Sequence, residues 1–171
     1  MPAFDPLDLF RRKGLWRVDP AELYAPFLVR LLAVLSACQS RGALYYVTSG
    51  QRGMEAQRKL HLAHLAGGPK AAPAGLSAHQ YGIAVDVAPD SDTATPGLQG
   101  PDYSARAYAI LVEECAAGGL VNGGSFGDLP HVQWPGFVSG AQLMRLRDLW
   151  RATDGPDADR MRAVWRYLDR A

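Results

Sequence analysis

The chain has 171 residues, enough for one compact domain to close a hydrophobic core without disulfide staples. Apolar residues make up 48% and charged residues 20%, which argues against long disorder. A net charge of +1 provides no whole-molecule field to draw the protein onto nucleic acid or an anionic membrane, so no nucleic-acid partner is expected.

The opening segment, MPAFDPLDLFRRKGLW, carries Asp5 and Asp8 before its positive charges and lacks the apolar run of a secretory signal. No stretch approaches the roughly 18 apolar residues of a membrane span. The expectation is a protein made in the cytoplasm, with no integral membrane segment, that something else must deliver to any external substrate.

Asp19-Pro20-Ala21-Glu22 reads as a helix start, with Asp19 as N-cap, Pro20 in the first turn and Glu22 completing a capping box. Leu23, Phe27, Leu31, Leu35 and Cys38 follow at helical spacing until Gly42. Ala43 to Thr48 is aromatic and β-branched and predicts a strand, after which Ser49-Gly50-Gln51-Arg52-Gly53 turns the chain into a helix over Met54 to Leu65. Gly67-Gly68-Pro69 stops that helix, and a Pro/Ala/Gly loop runs to Ser77. A second apolar strand is predicted over Ile83 to Ala88, then a polar loop over 89–103 and a helix over Ser104 to Ala117. Asn122-Gly123-Gly124 reads as a turn, Pro130 to Trp134 as a further strand, and 139–153 and 157–170 as two amphipathic helices. Helices and strands mix without βαβ alternation, so the fold class is α+β, in a single domain over 1–171 with no separate binding domain. Cys38 and Cys115 are too few for a disulfide framework or a thiolate zinc site and read as small core residues, as do Trp150 and Trp165.

The informative segment is Ser77-Ala78-His79-Gln80-Tyr81-Gly82-Ile83-Ala84-Val85-Asp86. Asp86 is out of character among Ile83, Val85 and Val87, because an ionised carboxylate in an apolar strand is costly unless a cation or strong donors compensate it. His131, in Asp128-Leu129-Pro130-His131-Val132-Gln133-Trp134, begins a second strand about 45 residues later. Taken singly, either histidine would read as a structural residue. Two imidazoles and one carboxylate, with a fourth position left open, are the ligand set of a catalytic Zn2+ site rather than a closed structural one. His61 and His64 stand three apart on one helix and read as solvent-facing.

At these residues the chain resembles the zinc D-Ala-D-Ala peptidases, which include vancomycin-resistance (VanY-like) carboxypeptidases and the L-alanyl-D-glutamate endopeptidases of bacteriophage lysins. The family pattern S-x-H-x-x-G-x-A-x-D is met by Ser77, His79, Gly82, Ala84 and Asp86, and its acidic residue three before a final histidine by Asp128 and His131. Ser49-Gly50-Gln51-Arg52, with Gln57 beyond it, matches the upstream turn, and Leu146, Leu149 and Trp165 match the closing helices. Asp128-Leu129-Pro130-His131 is closer to the D-x-P-H of the phage endopeptidases than to the E-P-W-H of the carboxypeptidases.

The resemblance implies a small antiparallel sheet flanked by helices around a Hedgehog/DD-peptidase-like zinc site. It assigns His79, Asp86 and His131 to the metal, Asp128 to the general base, Arg52 to the oxyanion or a substrate carboxylate, and Ser77 and Gln57 to substrate binding. The expected activity is hydrolysis of peptidoglycan stem peptides at the L-Ala-D-Glu bond, with release by a holin or carriage on a phage particle. A D-Ala-D-Ala carboxypeptidase or dipeptidase and a non-catalytic zinc-bearing wall module are the two alternatives.

Overall fold

A computed structural model describes residues 5–12, 15–90 and 102–171. In chain order these form a 3-10 turn (Pro6–Phe10), a minimal antiparallel pair β1 (Arg11–Arg12) and β2 (Leu15–Trp16), helix α1 (Ala25–Ser40), β3 (Tyr45–Ser49), α2 (Met54–Leu65), β4 (Ala84–Pro89), α3 (Ala109–Ala117), β5 (Val121–Gly123), β6 (Asp128–Gln133), α4 (Gly140–Ala152) and α5 (Asp157–Leu168). The larger sheet has strand order β3-β4-β6-β5, with antiparallel pairing throughout. The architecture is α+β, a small antiparallel sheet flanked by helices. Among the described residues no helix is long and apolar enough to cross a membrane. Most of the polar loop expected over 89–103 lies outside the described residues.

The first helix starts later than its sequence signals indicate. Asp19 does cap, its carboxylate accepting from the Ala21 amide at 2.9 Å, but it caps only a 3-10 turn, Pro20–Glu22. Leu23 is extended, and the Tyr24 amide donates instead to the Gly82 carbonyl at 2.8 Å. The α-helix begins afresh at Ala25 with Pro26 in its first turn, where a missing N–H costs nothing. Its buried face is Phe27, Leu31, Val34, Leu35 and Cys38. A tertiary hydrogen bond to the residue that ends the His79 turn thus overrides a local capping signal.

Three further elements depart from the sequence expectations in the same way. Ser104 caps a 3-10 turn, Ala105–Tyr108, before α3 begins. β6 begins two residues earlier than expected, and Val121–Gly123, read as part of a glycine-rich turn, is strand β5. Asn122 explains the last two, because its amide nitrogen donates to the carbonyls of Leu129 (2.7 Å) and His131 (3.2 Å) while its oxygen accepts from the Gly124 amide at 2.8 Å. That side chain ties the β5–β6 connection together where strand propensity is weak.

One contiguous apolar cluster runs from Leu9 to Leu168. Its fully buried tyrosines keep their hydroxyls satisfied on backbone carbonyls: Tyr45 on Ala107 (2.6 Å), Tyr81 on Gly75 (2.8 Å) and Tyr108 on Val87 (3.1 Å). Cys38 and Cys115 are buried free thiols, and burial pushes each up to about 12. Trp150 is buried, and half-buried Trp165 donates its indole N–H to the Tyr81 carbonyl at 2.8 Å.

Gly82 is the pivot between the 3-10 turn Ala78–Tyr81 and β4. It holds φ +66°, and a Cβ there would overlap the Glu22 carbonyl and press on Leu23 Cα and Trp165 Cζ2, both at 3.3 Å. Gly82→Ala is therefore expected to destabilise the protein by about 2–4 kcal/mol, combining left-handed strain with overpacking. Urea unfolding of parent and variant measures it.

Candidate metal centre

Antiparallel pairing of β4 with β6 sets Asp86 directly across from His131, so both side chains leave the same face of the sheet. On the other side of β4, Ser49 of β3 is the partner of Asp86, next to a register shift between Val47 and Ser49. His79 reaches the same place from the 3-10 turn Ala78–Tyr81, which the left-handed Gly82 ends. The fold thus brings together the three residues that the sequence singles out. Among the described residues they form the group able to hold a metal ion, with one ligand atom from each and all within 4.8 Å of one another.

The spacing suits an ion as well as long hydrogen bonds. His79 Nε2 and His131 Nδ1 each lie 3.3 Å from Asp86 Oδ1. A charge-assisted N–H···O bond is shorter, about 2.7–2.9 Å. Ligands bonded at about 2.0–2.1 Å around a tetrahedral zinc stand roughly 3.3–3.4 Å apart, which is the separation of these atoms.

The outer ring nitrogens are both engaged. His79 Nδ1 is 2.9 Å from the Gly50 carbonyl, an acceptor, so Nδ1 carries the proton and Nε2 keeps its lone pair for the site. His131 Nε2 is 2.8 Å from Gln133 Oε1, and the Gln133 amide nitrogen donates to the Phe137 carbonyl at 3.0 Å. That second bond fixes which end of the amide faces His131, making it an acceptor and leaving Nδ1 toward Asp86. His79 is 4% exposed and His131 8%, so neither ring has much freedom to turn.

Without a metal ion the charges compensate one another. Burial would raise the Asp86 carboxyl, but hydrogen bonds and charge from His131 and His79 outweigh it and hold the group well below the usual carboxylate range. Burial would lower His131, yet the hydrogen bond and charge of Asp86 lift the imidazole above its ordinary value, with Gln133 and Asp128 adding to the rise. A proton and a divalent cation therefore compete for the same nitrogen.

Arg52 lies against this group. Its guanidinium donates to Ser49 Oγ (2.9 Å) and Gln57 Oε1 (3.1 Å) and sits 3.5 Å from Asp86 Oδ2, while its backbone amide donates to the His79 carbonyl at 3.1 Å. Gln57 is almost wholly buried and spans from Arg52 to the Ala72 carbonyl (2.8 Å), so it locks the arginine to the loop before Ser77. Ser77 is half-buried at the head of the His79 turn, where its side chain makes no capping bond. Asp128 is exposed at the first residue of β6, with its charge felt at His131. His61 and His64 lie apart from the donor group, His61 Nδ1 being 2.9 Å from the Ala71 carbonyl.

Gln133 and the Gly50 carbonyl were not singled out by sequence reasoning. The Gln133 signal was present, since strand alternation puts residue 133 on the face of residue 131. The Gly50 carbonyl had no sequence signal, because any residue supplies one.

No protein-family model matches the chain, and no curated protein matches it. Solved structures similar to it include the following three. The L-Ala D-Glu endopeptidase ChiX of Serratia marcescens is 21% identical, over 67% of this chain and 82% of that one, with a TM-score of 0.49. VanYB in complex with D-alanine-D-alanine is 21% identical, over 77% and 82%, with a TM-score of 0.45. A mutant of the vancomycin-resistance D,D-pentapeptidase VanY in complex with Zn(II) is 21% identical, over 71% and 76%, with a TM-score of 0.44. At such identities and scores, a functional reading rests on the geometry of this chain's own site.

Two measurements check the site. Gln133→Ala is expected to weaken zinc binding about 10- to 100-fold by releasing the His131 ring, whereas Gln133→Glu, which keeps an acceptor but loses the donor to Phe137, is expected to fall between that variant and the parent. Competition with a chromogenic chelator reads both. The same titration in acid should show affinity falling as His131 takes up its proton, at a higher pH than an unperturbed imidazole would give, because Asp86 favours the protonated ring.

Proposed function

We propose that the chain is a zinc-dependent peptidase of peptidoglycan stem peptides that cuts between L-alanine and D-glutamate and acts on the cell wall after delivery from the cytoplasm. The observation that supports a metal hydrolase above all is that His79 Nε2 and His131 Nδ1 each stand 3.3 Å from Asp86 Oδ1, with one donor atom of each residue within 4.8 Å of the others and both outer ring nitrogens engaged. Zinc in this position supplies a Lewis acid that polarises the scissile carbonyl and acidifies the attacking water.

The remaining steps belong to the chain's own residues. Asp128, exposed at the start of the strand that carries His131, takes the proton of the attacking water and returns it to the leaving amine. Arg52, pinned by Ser49 and Gln57, presents a pre-oriented guanidinium to the oxyanion or to a substrate carboxylate. Ser77, at the head of the His79 turn, contacts the peptide in this reading, as the resemblance implies. The preference for the L-Ala-D-Glu bond rests on Asp128-Leu129-Pro130-His131, whose D-x-P-H form is that of the endopeptidases this sequence resembles.

Digestion of purified walls in the presence of zinc, with new termini identified by mass spectrometry, tests the proposal. New D-glutamate amines are expected. Free D-alanine from a pentapeptide would assign the carboxypeptidase activity instead, and unaltered walls would overturn the peptidase reading. Asp128→Asn is expected to keep its zinc while turnover falls by about 10²- to 10⁴-fold, the range for losing a general base. An Asp128→Asn protein as active as the parent would remove Asp128 from the mechanism.

A further inference from the structure

We infer that Phe126 is a specificity-determining residue whose ring packs on the side chain of the residue supplying the scissile carbonyl, and that it selects a small aliphatic group there. The inference rests on the peptidase reading above. Phe126 ends the 3-10 turn Gly124–Phe126 between β5 and β6 and is 41% exposed. Its ring meets the His131 ring edge-on, with centroids 5.7 Å apart and planes at 65°. An open aromatic surface therefore borders one of the three metal donors.

The connection is built to hold the ring there. A Cβ on Gly123 would overlap the Asp128 carbonyl and come within 2.9 Å of both His131 Cβ and Phe126 Cε2. One on Gly124 would come within 3.0 Å of Asn122 Oδ1 and Leu129 Cδ2. Gly127, at φ +83°, then turns the chain directly into β6. Only a residue without a side chain at 123 lets Phe126 pack this close to His131.

A carbonyl held at the site would lie one covalent bond from its own Cα, and with that carbon's side chain on the His131 side Phe126 would be its neighbour. Phe126 offers it an apolar, half-open wall and no polar partner. A methyl group gains from that contact, and a hydrogen atom does not.

The test uses stem-peptide analogues with L-alanine or glycine before D-glutamate, and compares kcat/KM in the zinc-loaded parent, Phe126→Ala and Phe126→Leu. A ratio of kcat/KM values is independent of the active fraction, so incomplete zinc loading leaves it unchanged. The parent is expected to prefer alanine by about tenfold, the low end for one methyl group in an apolar pocket. Phe126→Ala should compress the preference to about twofold or less, and Phe126→Leu should keep most of it. An alanine-to-glycine ratio in Phe126→Ala equal to the parent's overturns the inference while leaving the peptidase reading intact. Failure of the parent to cleave either peptide overturns that reading and this inference with it.

Discussion

The site depends on one unfavourable placement, a carboxylate in the middle of a strand whose other positions are apolar. Asp86 sits between Val85 and Val87, both fully buried, and across from His131 on the neighbouring strand. Left alone, such a group would protonate or destabilise the sheet. The surroundings of β4 supply the compensation: imidazoles from the turn before it and from β6, and a guanidinium from the turn after β3. Replacing any one partner leaves the others around a poorly compensated charge, the costly way to break a buried ionic cluster.

This constraint also explains what could be read from the sequence. Asp86 stood out because it broke an apolar strand, and His79 and His131 because each stood beside a strand, so the donor set was legible from residue types in order. The convergence itself was not in any local pattern. It comes from the β4–β6 register, which non-local pairing sets. The two closing helices lie where their apolar spacing indicates, and α2 ends where its Gly67-Gly68-Pro69 stop signal indicates. The departures sit where a bond outside the local pattern defeats a local signal, as when Tyr24 gives its amide to Gly82 and delays α1, or when Asn122 bonds across its hairpin and makes a strand of a glycine-rich turn.

The outer contacts of the donors are less legible for a physical reason. A carbonyl such as that of Gly50 carries no residue signature, and Gln133 gains its meaning only when Phe137 fixes the orientation of its amide. Gln57 shows the same limit. The resemblance assigns it to substrate, yet the fold buries it and spends both ends of its amide on Arg52 and Ala72. Its bonds hold the arginine and the loop before Ser77 in one rigid unit, so it can influence substrate through the geometry of Arg52.

The two oxygens of Asp86 are used differently, and this bears on whether a coordination position stays open. Oδ1 faces both histidines at 3.3 Å, whereas Oδ2 faces the Arg52 guanidinium at 3.5 Å. A carboxylate held in this way would offer a metal its Oδ1 while its Oδ2 faces the arginine. Three such donors would leave room for a fourth ligand, the condition that separates a catalytic site from a closed structural one. Arg52 thereby has a role before any substrate arrives, since Ser49 and Gln57 keep its charge on Oδ2. Lysine, with a single flexible ammonium, could not bond Ser49, Gln57 and Asp86 in one planar fork.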